Sequence, residues 1–267
     1  GGWTFFIAEN LVLSENREFL VSKLGESGYR NIYGCFSTIA CGSIALGYFR
    51  FGRNKGPVLW YPTGPVNQLS AFAVQSLGFV GFSQLAPPLQ MPVAVEPTPL
   101  VEGYQHPPIG KEAAESTKKT VAPLGLKARC PIDFNHARKV EGKEISGVQR
   151  VTRHPALWSM AFVGLGSAIA NPLATEVVFG VFPAIMAAIG GAHQDYRHRR
   201  SGTLTKEMDE MTSHIPFVAF LTNSNQSLYE FSDEIAWTNA TVAVAVSLFL
   251  AIRRRRALEV FRQVIQK

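Results

Sequence analysis

Three residues in the second half of the chain have side chains that could bind a cofactor: His154, His193 and Asp195. His154 stands between Arg153 and Pro155, directly before an apolar run. Its imidazole could be a ligand for the metal of a pigment or a hydrogen-bond donor to a cofactor. The same position also suits a structural histidine that caps a helix and positions its start at the water–lipid boundary. The sequence leaves both roles open.

His193 and Asp195 follow another apolar run and are expected at the C-terminal end of a helix. A histidine that a carboxylate orients, while its second nitrogen stays free, is found in many metal sites. A histidine at this end of a helix also stabilises the helix dipole. We predict cofactor-binding roles for these residues, but no catalytic residue and no metal ion held by side chains alone. The other four histidines are expected to be solvated: His106, His136, His198 and His214.

The short motifs typical of catalysis and nucleotide binding are missing from the sequence. It contains no glycine-rich phosphate loop, no HExxH helix and no nucleophile elbow. Gly164 and Gly166 lie inside an apolar run without a preceding strand, so they do not indicate a dinucleotide site. Cys35, Cys41 and Cys130 form neither a disulfide framework nor a CxxC metal pair.

The apolar run after His154 is predicted to be a membrane helix. Pro155 suits the first helical position, where its missing N–H is not needed, and Trp158 suits an interfacial anchor. Small residues follow at close spacing and would let another helix or a flat ligand approach the backbone. They are Gly164, Gly166, Ser167, Ala168 and Ala170.

The composition of the chain also indicates a membrane protein. Of its 267 residues only 17% are charged and 46% are hydrophobic, against roughly 25% charged residues in an ordinary soluble domain. The net charge is +6, and many basic residues lie at the ends of apolar runs, which favours contact with lipid headgroups and not with nucleic acid. These groups are Arg50, Arg53 and Lys55; Arg197, Arg199 and Arg200; and Arg253 to Arg256.

The pattern of apolar segments predicts an all-α integral membrane bundle of about five to six transmembrane helices with one long polar loop. The segments are residues 3–13, 29–51, 67–86, 151–170, 176–192 and 237–252. We assign residues 1–86 and 151–267 to membrane helices, and 87–150, rich in Pro, Lys and Glu, to an extramembrane, partner-binding loop. The first segment is too short to cross a bilayer, so we expect a targeting segment and part of a first helix to precede Gly1.

Four short motifs occur in order along the chain: GESGYR at residues 25–30, TRHP at 152–155, DxR at 195–197 and TSHIPF at 212–217. In order and spacing they resemble those of NnrU-domain membrane proteins. That family includes the 15-cis-zeta-carotene isomerase of plastids and bacteria. The resemblance covers nearly the whole chain apart from the loop of residues 87–150, which is longer than the usual connection in the family.

The resemblance also implies where a cofactor would be bound. In the isomerase, haem b is held by two histidines, one in the first span and one about three turns past the Arg-His-Pro step. These positions fall on Asn10 and Ser167 in this chain. Neither side chain is an ordinary haem ligand, and the first span contains no His, Met or Cys. Haem b is therefore not expected.

We accordingly predict a non-catalytic, isomerase-like accessory subunit of a larger membrane complex. Its expected partners are membrane lipids, other subunits and pigments (chlorophyll and carotenoid), and not nucleic acid. A thylakoid photosystem or light-harvesting assembly is favoured, because the isomerase acts on carotenoid precursors in plastids; the mitochondrial inner membrane is the variant. The alternative is an active haem-dependent 15-cis-zeta-carotene isomerase whose ligands have moved, with His154 the first candidate and His193 the second.

Overall fold

The chain forms a bundle of helices in a computed structural model that describes residues 1–60, 64–89, 93–97, 124–128, 145–222 and 227–265. Side chains are described in these ranges except at 93–97, 124–128 and 255–265. A π-helix, Gly47–Gly52, continues α2. In chain order the α-helices are α1 (Gly2–Glu15), α2 (Arg17–Leu46), α3 (Pro65–Ser83), α4 (Val148–Val151), α5 (Pro155–Ala170), α6 (Ala174–Ser201), α7 (Lys206–Met211), α8 (Val218–Thr222), α9 (Leu228–Glu234) and α10 (Trp237–Ile265).

Several helix ends follow from local chemistry. Pro65 and Pro155 occupy the first turns of α3 and α5, where a missing N–H is tolerated. The side chain of Thr205 caps α7 by accepting a hydrogen bond from the N–H of Met208. Gly202, with φ +72°, ends α6 in the left-handed conformation that glycine adopts without strain.

The helix after His154, α5, packs between α3 and α6. Glycines set the closeness of both contacts. A Cβ atom at Gly166 would lie 2.6 Å from the backbone nitrogen of Gln75 in α3, and one at Gly164 would overlap the carbonyl oxygen of Gly180 in α6. The predicted close-packing face on this helix is therefore confirmed, and its neighbours at these points are helix backbones.

The outer helices attach through aromatic and polar contacts. Trp3 of α1 stacks on Phe182 of α6, with ring centroids 5.7 Å apart. α10 lies against α3, where the hydroxyls of Ser76 and Ser247 are 3.0 Å apart.

Two described helical segments are long and apolar enough to cross a membrane: Arg17–Gly52, with 36 residues, and Ala174–Ser201, with 28. A third span results if Leu228–Glu234 and Trp237–Arg254, which meet at an 80° bend, are counted as one. The predicted number of five to six spans is not confirmed. Helices α1 and α5 have only 14 and 16 residues, whereas a crossing needs about 20.

One long helix is interrupted by a glycine, and another is longer than predicted. Gly25, with φ +72° and ψ 167°, breaks the helical geometry of α2. By contrast, α6 continues through its polar residues to Ser201. His193 and Asp195 therefore lie within this helix and not at its end. The helix continues because charged side chains of its last turns, such as Arg197 and Arg200, find partners on α1.

The long polar loop contains a two-stranded antiparallel sheet. Strand β1 (Val93–Pro97) pairs with β2 (Leu124–Ala128), so that Val93 stands opposite Ala128 and Pro97 opposite Leu124. The all-α prediction holds for the described bundle and not for this pair. The domain boundaries at residues 86 and 150 stay predictions. Cys130 lies outside the described residues, while Cys35 and Cys41 are free and exposed.

Candidate functional site

A buried ionic cluster joins the start of α5 to the C-terminal half of α6. The Nε2 atom of His154 lies 2.7 Å from Oδ1 of Asp195, and Nη1 of Arg153 donates to Oδ2 of the same carboxylate at 2.8 Å. His154 is 8% exposed and Asp195 3%. Burial lowers the pKa of His154, although the hydrogen bond to Asp195 acts in the opposite direction. The ring is thus a neutral, buried group at neutral pH.

The predicted pairing of Asp195 with His193 is wrong. Two residues apart on a helix, their side chains point to different faces, and the Nε2 atom of His193 is instead 3.8 Å from a carboxylate oxygen of Glu15. Asp195 reaches His154, which is 41 positions away in sequence. A cofactor-binding role for His154, His193 or Asp195 stays a prediction.

His214, predicted to be solvated, joins this cluster. Its ring centroid lies 5.4 Å from that of His154 and 5.8 Å from that of Trp158. Its Nε2 atom is 3.1 Å from the carbonyl oxygen of Ala188. Since a carbonyl only accepts, Nε2 carries the proton, and Nδ1 keeps a lone pair that is buried and has no partner among the described residues. The only signal in the sequence was the place of His214 in the TSHIPF motif.

Gly191 allows both rings to lie against α6. A Cβ atom at this position would be 2.7 Å from Nδ1 of His214 and 3.0 Å from Cδ2 of His154. Both distances are shorter than ordinary contacts, so a side chain here would displace one or both imidazoles.

The segment after α7 is tied to the same site by backbone hydrogen bonds. The N–H of Arg153 donates to the carbonyl oxygen of Ser213 at 2.9 Å, and the hydroxyl of Thr152 donates to that of His214 at 2.8 Å. The guanidinium of Arg153 also reaches the carbonyl oxygen of Thr212, at 2.6 Å. Three of the four sequence motifs, TRHP, DxR and TSHIPF, therefore meet in one place.

The cluster has the ligand types of a metal site. His154, Asp195 and His214 each offer one ligand atom, and these atoms lie within 4.8 Å of one another. Two imidazoles and a carboxylate suit zinc or ferrous iron. However, both oxygens of Asp195 already accept hydrogen bonds, so a cation would have to replace the proton between His154 and Asp195. A cavity of about 300 Å³, partly lined by Arg153, His154 and Asp195, lies beside the cluster.

The positions that the resemblance assigns to haem ligands do not fit haem. The amide of Asn10 donates to the carbonyl oxygen of Phe6 and to Glu9, both at 2.8 Å, and its oxygen accepts from the hydroxyl of Tyr33 at 2.5 Å. The hydroxyl of Ser167 accepts from Gln75 at 3.3 Å. These side chains are not ordinary iron ligands, and both are bound to neighbouring side chains.

The packing around α5 leaves no space for a porphyrin beside Gly164 and Gly166. The backbone of α6 fills one side and that of α3 the other, at distances that exclude even a methyl group. The small residues therefore bring helices together here and do not admit a flat ligand.

The architecture defines a class of protein: a bundle of apolar helices with a buried ionic cluster at the start of α5. In the described part of the chain, two or three of its helical segments are long and apolar enough to span a membrane. The sequence model of one family, described as NnrU protein, matches residues 1–254. The chain belongs to the NnrU family. No curated protein and no solved structure matches it.

Proposed function

We propose that this NnrU-family chain is a haem-free, non-catalytic membrane protein that serves as an accessory subunit of a larger complex. The proposal is based mainly on the chemical nature and the hydrogen bonds of Asn10 and Ser167. Both stand at positions that the resemblance assigns to haem ligands, and both side chains are used for hydrogen bonds between or within helices.

The outer surface of α2 supports a role in assembly. In the candidate span Arg17–Gly52 only 6% of the most apolar 18-residue stretch is buried inside the chain. Phe36, Ile39 and Leu46 are 42%, 56% and 63% exposed. Such an apolar surface must be covered by lipid or by another subunit, because the exposure of so many apolar side chains to water is unfavourable.

The finer features of the proposal rest on the resemblance. We place the protein in a thylakoid photosystem or light-harvesting assembly, with chlorophyll or carotenoid packed against its helices. We also keep five to six spans in the complex, since α1, α3 and α5 are apolar and would cross the bilayer in contact with partner helices. The mitochondrial inner membrane is the variant location.

Purification of the protein from its own membranes in a mild detergent tests the subunit role. We expect the chain to migrate with a complex several times its own mass and to carry pigment absorption. Free migration of the chain alone would contradict the subunit role. A large complex without chlorophyll or carotenoid absorption would refute the pigment part only.

A second candidate is an enzyme centred on His154. The unpartnered Nδ1 atom of His214 favours it, because a buried lone pair beside a His–Asp pair is suited to bind a cation or a substrate proton. The rings of His154 and His214 meet edge to face with centroids 5.4 Å apart, which argues against one haem held between them. If the purified chain contains haem or a stoichiometric metal that is lost in His154→Ala, this candidate replaces the first.

A further inference from the structure

A basic cavity lies where the three candidate spans come together. Its volume is about 770 Å³. The segment Arg17–Gly52 ends beside it, Ala174–Ser201 begins beside it, and Trp237–Arg254 ends beside it. If these segments cross a membrane, the cavity therefore lies at the membrane surface. Three of its lining residues are basic and three are aliphatic: Arg53, Arg253, Arg254, Val58, Leu173 and Leu250.

The described lining of this cavity carries more positive than negative charge. Glu176 is its only described acidic lining residue. One carboxylate oxygen of Glu176 accepts from the hydroxyl of Tyr48 at 2.5 Å, and the other accepts from the backbone N–H of Asn54 at 3.0 Å. Both oxygens are thus engaged.

No ion pair joins Arg53, Arg253 or Arg254 to an acidic side chain in the described part of the chain. Arg254 is half-buried. The charge of Glu176 acts on Arg254 from beyond ion-pair distance, so no described carboxylate accepts hydrogen bonds from this guanidinium. A partly desolvated guanidinium is unfavourable unless an anion accepts those bonds. The N-terminal end of α6 adds a partial positive charge beside it.

Backbone hydrogen bonds hold two segments of the cavity wall together. The N–H of Leu59 donates to the carbonyl oxygen of Pro172 at 2.8 Å, and that of Ala174 donates to Pro57 at 3.0 Å. These bonds hold Val58 opposite Leu173 in an isolated β-bridge. One wall of the cavity is therefore aliphatic and fixed.

We propose that this cavity binds the phosphodiester headgroup of an anionic membrane lipid. Arg53, Arg253 and Arg254 contact the phosphate, for which the guanidinium fork is suited. The wall formed by Val58, Leu173 and Leu250 contacts the glycerol and the first methylenes of the acyl chains. Basic pockets between membrane helices bind anionic lipids in this way. The site is independent of the His154 cluster and of whether the protein is a subunit or an enzyme.

The test is a titration of the full-length chain in uncharged detergent with three probes: dioctanoyl phosphatidylglycerol, dioctanoyl phosphatidylcholine and inorganic phosphate. Bound lipid is counted by native mass spectrometry. We expect phosphatidylglycerol to bind roughly tenfold more tightly than phosphatidylcholine. The headgroup of phosphatidylglycerol has a net negative charge, whereas the choline cation of phosphatidylcholine neutralises its phosphate. Inorganic phosphate should compete weakly, since it has no contact with the aliphatic wall.

Variants locate the binding. Arg253→Gln/Arg254→Gln should reduce phosphatidylglycerol affinity by roughly tenfold, and Arg253→Lys/Arg254→Lys should keep most of it. The matched control is Lys23→Gln/Arg30→Gln, which removes the same charge from exposed positions of α2 and should leave affinity unchanged. Equal affinity for the two lipids, or an equal loss in the control, would overturn the proposal. Phosphate that competes as well as the lipid would show a site for a free anion and overturn the assignment to lipid.

Discussion

At the scale of single residues, Gly191 makes the histidine cluster possible because the rings of His154 and His214 occupy the space of a side chain. Gly191→Ala should lower stability by about 1–3 kcal/mol, since the methyl group must push His214 or α6 aside. The measurement is thermal unfolding in detergent. Gly34→Ala in α2 is the control, because a Cβ there meets no atom within 4 Å, and it should be neutral or stabilising. Equal effects of the two changes would show that the cluster is loosely packed.

The ion pair between Arg153 and Asp195 is a buried contact between two opposite charges of the site. Both side chains are at least nine-tenths buried, and their atoms are 2.8 Å apart. Arg153→Gln should destabilise the protein by about 3–5 kcal/mol, because it leaves the Asp195 charge buried without its main partner. Arg17→Gln is the matched control, since it breaks an exposed pair with Glu26 and should change stability by less than about 1 kcal/mol. A loss in Arg153→Gln no larger than in the control would contradict the assigned burial.

Asp209 of α7 makes the stability of the site depend on pH. Its carboxylate forms ion pairs with Arg153 at 2.8 Å and with Arg199 at 2.7 Å. The hydrogen bond from Arg199, aided by the charge of Arg153, lowers the pKa of Asp209 to about 2 from an ordinary value of 3.8. The unfolded chain therefore binds this proton at higher pH than the folded chain does. The stability that Asp209 contributes should be complete above about pH 4 and should disappear as the pH falls toward 2.

This acid effect should be small, because the Asp209 side chain is 33% exposed and solvent screens its charge. It is measured as the difference in unfolding free energy between the wild type and Asp209→Asn at pH 5 and pH 2.5. The difference should shrink at the lower pH. A difference that stays constant would show that the carboxylate is not held ionised by the two arginines.

At the scale of elements, α5 is held by backbone contacts on two sides. Gly164→Leu should separate α5 from α6, because its side chain would have to occupy the position of the Gly180 carbonyl. Ser167→Ala removes one hydrogen bond, from Gln75, and should lower stability by only about 1 kcal/mol. Retention in the native complex and cofactor content are measured for both. Loss of a metal cofactor in Ser167→Ala, with Gly164→Leu unaffected, would contradict the packing role of this helix.

The helices themselves could be largely predicted from the sequence, and the site only in part. Pro155 at the start of α5 and the small residues at 164–168 are local signals, and the structure confirms them. The partner of Asp195 is set by the packing of α5 on α6, which no local pattern encodes. The same holds for His214, whose place is set by hydrogen bonds between its segment and Thr152, Arg153 and the carbonyl oxygen of Ala188. A polar sequence at 193–201 suggested a helix end, but its side chains are paired with other segments and the helix continues.

At the scale of the whole molecule, the chain belongs to the NnrU family and brings its TRHP, DxR and TSHIPF motifs together in one cluster. At the positions that the resemblance assigns to haem ligands it carries Asn10 and Ser167. Asn10 bonds to α2 through Tyr33, and Ser167 bonds to α3 through Gln75. Both side chains thus join helices to one another, which supports the proposal of a haem-free protein.

The most direct test of this central claim is the haem content of the full-length chain, purified from its own membranes and from a haem-supplied expression host. The amount of haem per chain is measured by a reduced-minus-oxidised spectrum together with extraction of the pigment. We expect no stoichiometric haem in either preparation and no spectral change in His154→Ala. One haem per chain, with a Soret band that shifts or disappears in His154→Ala, would contradict the central claim.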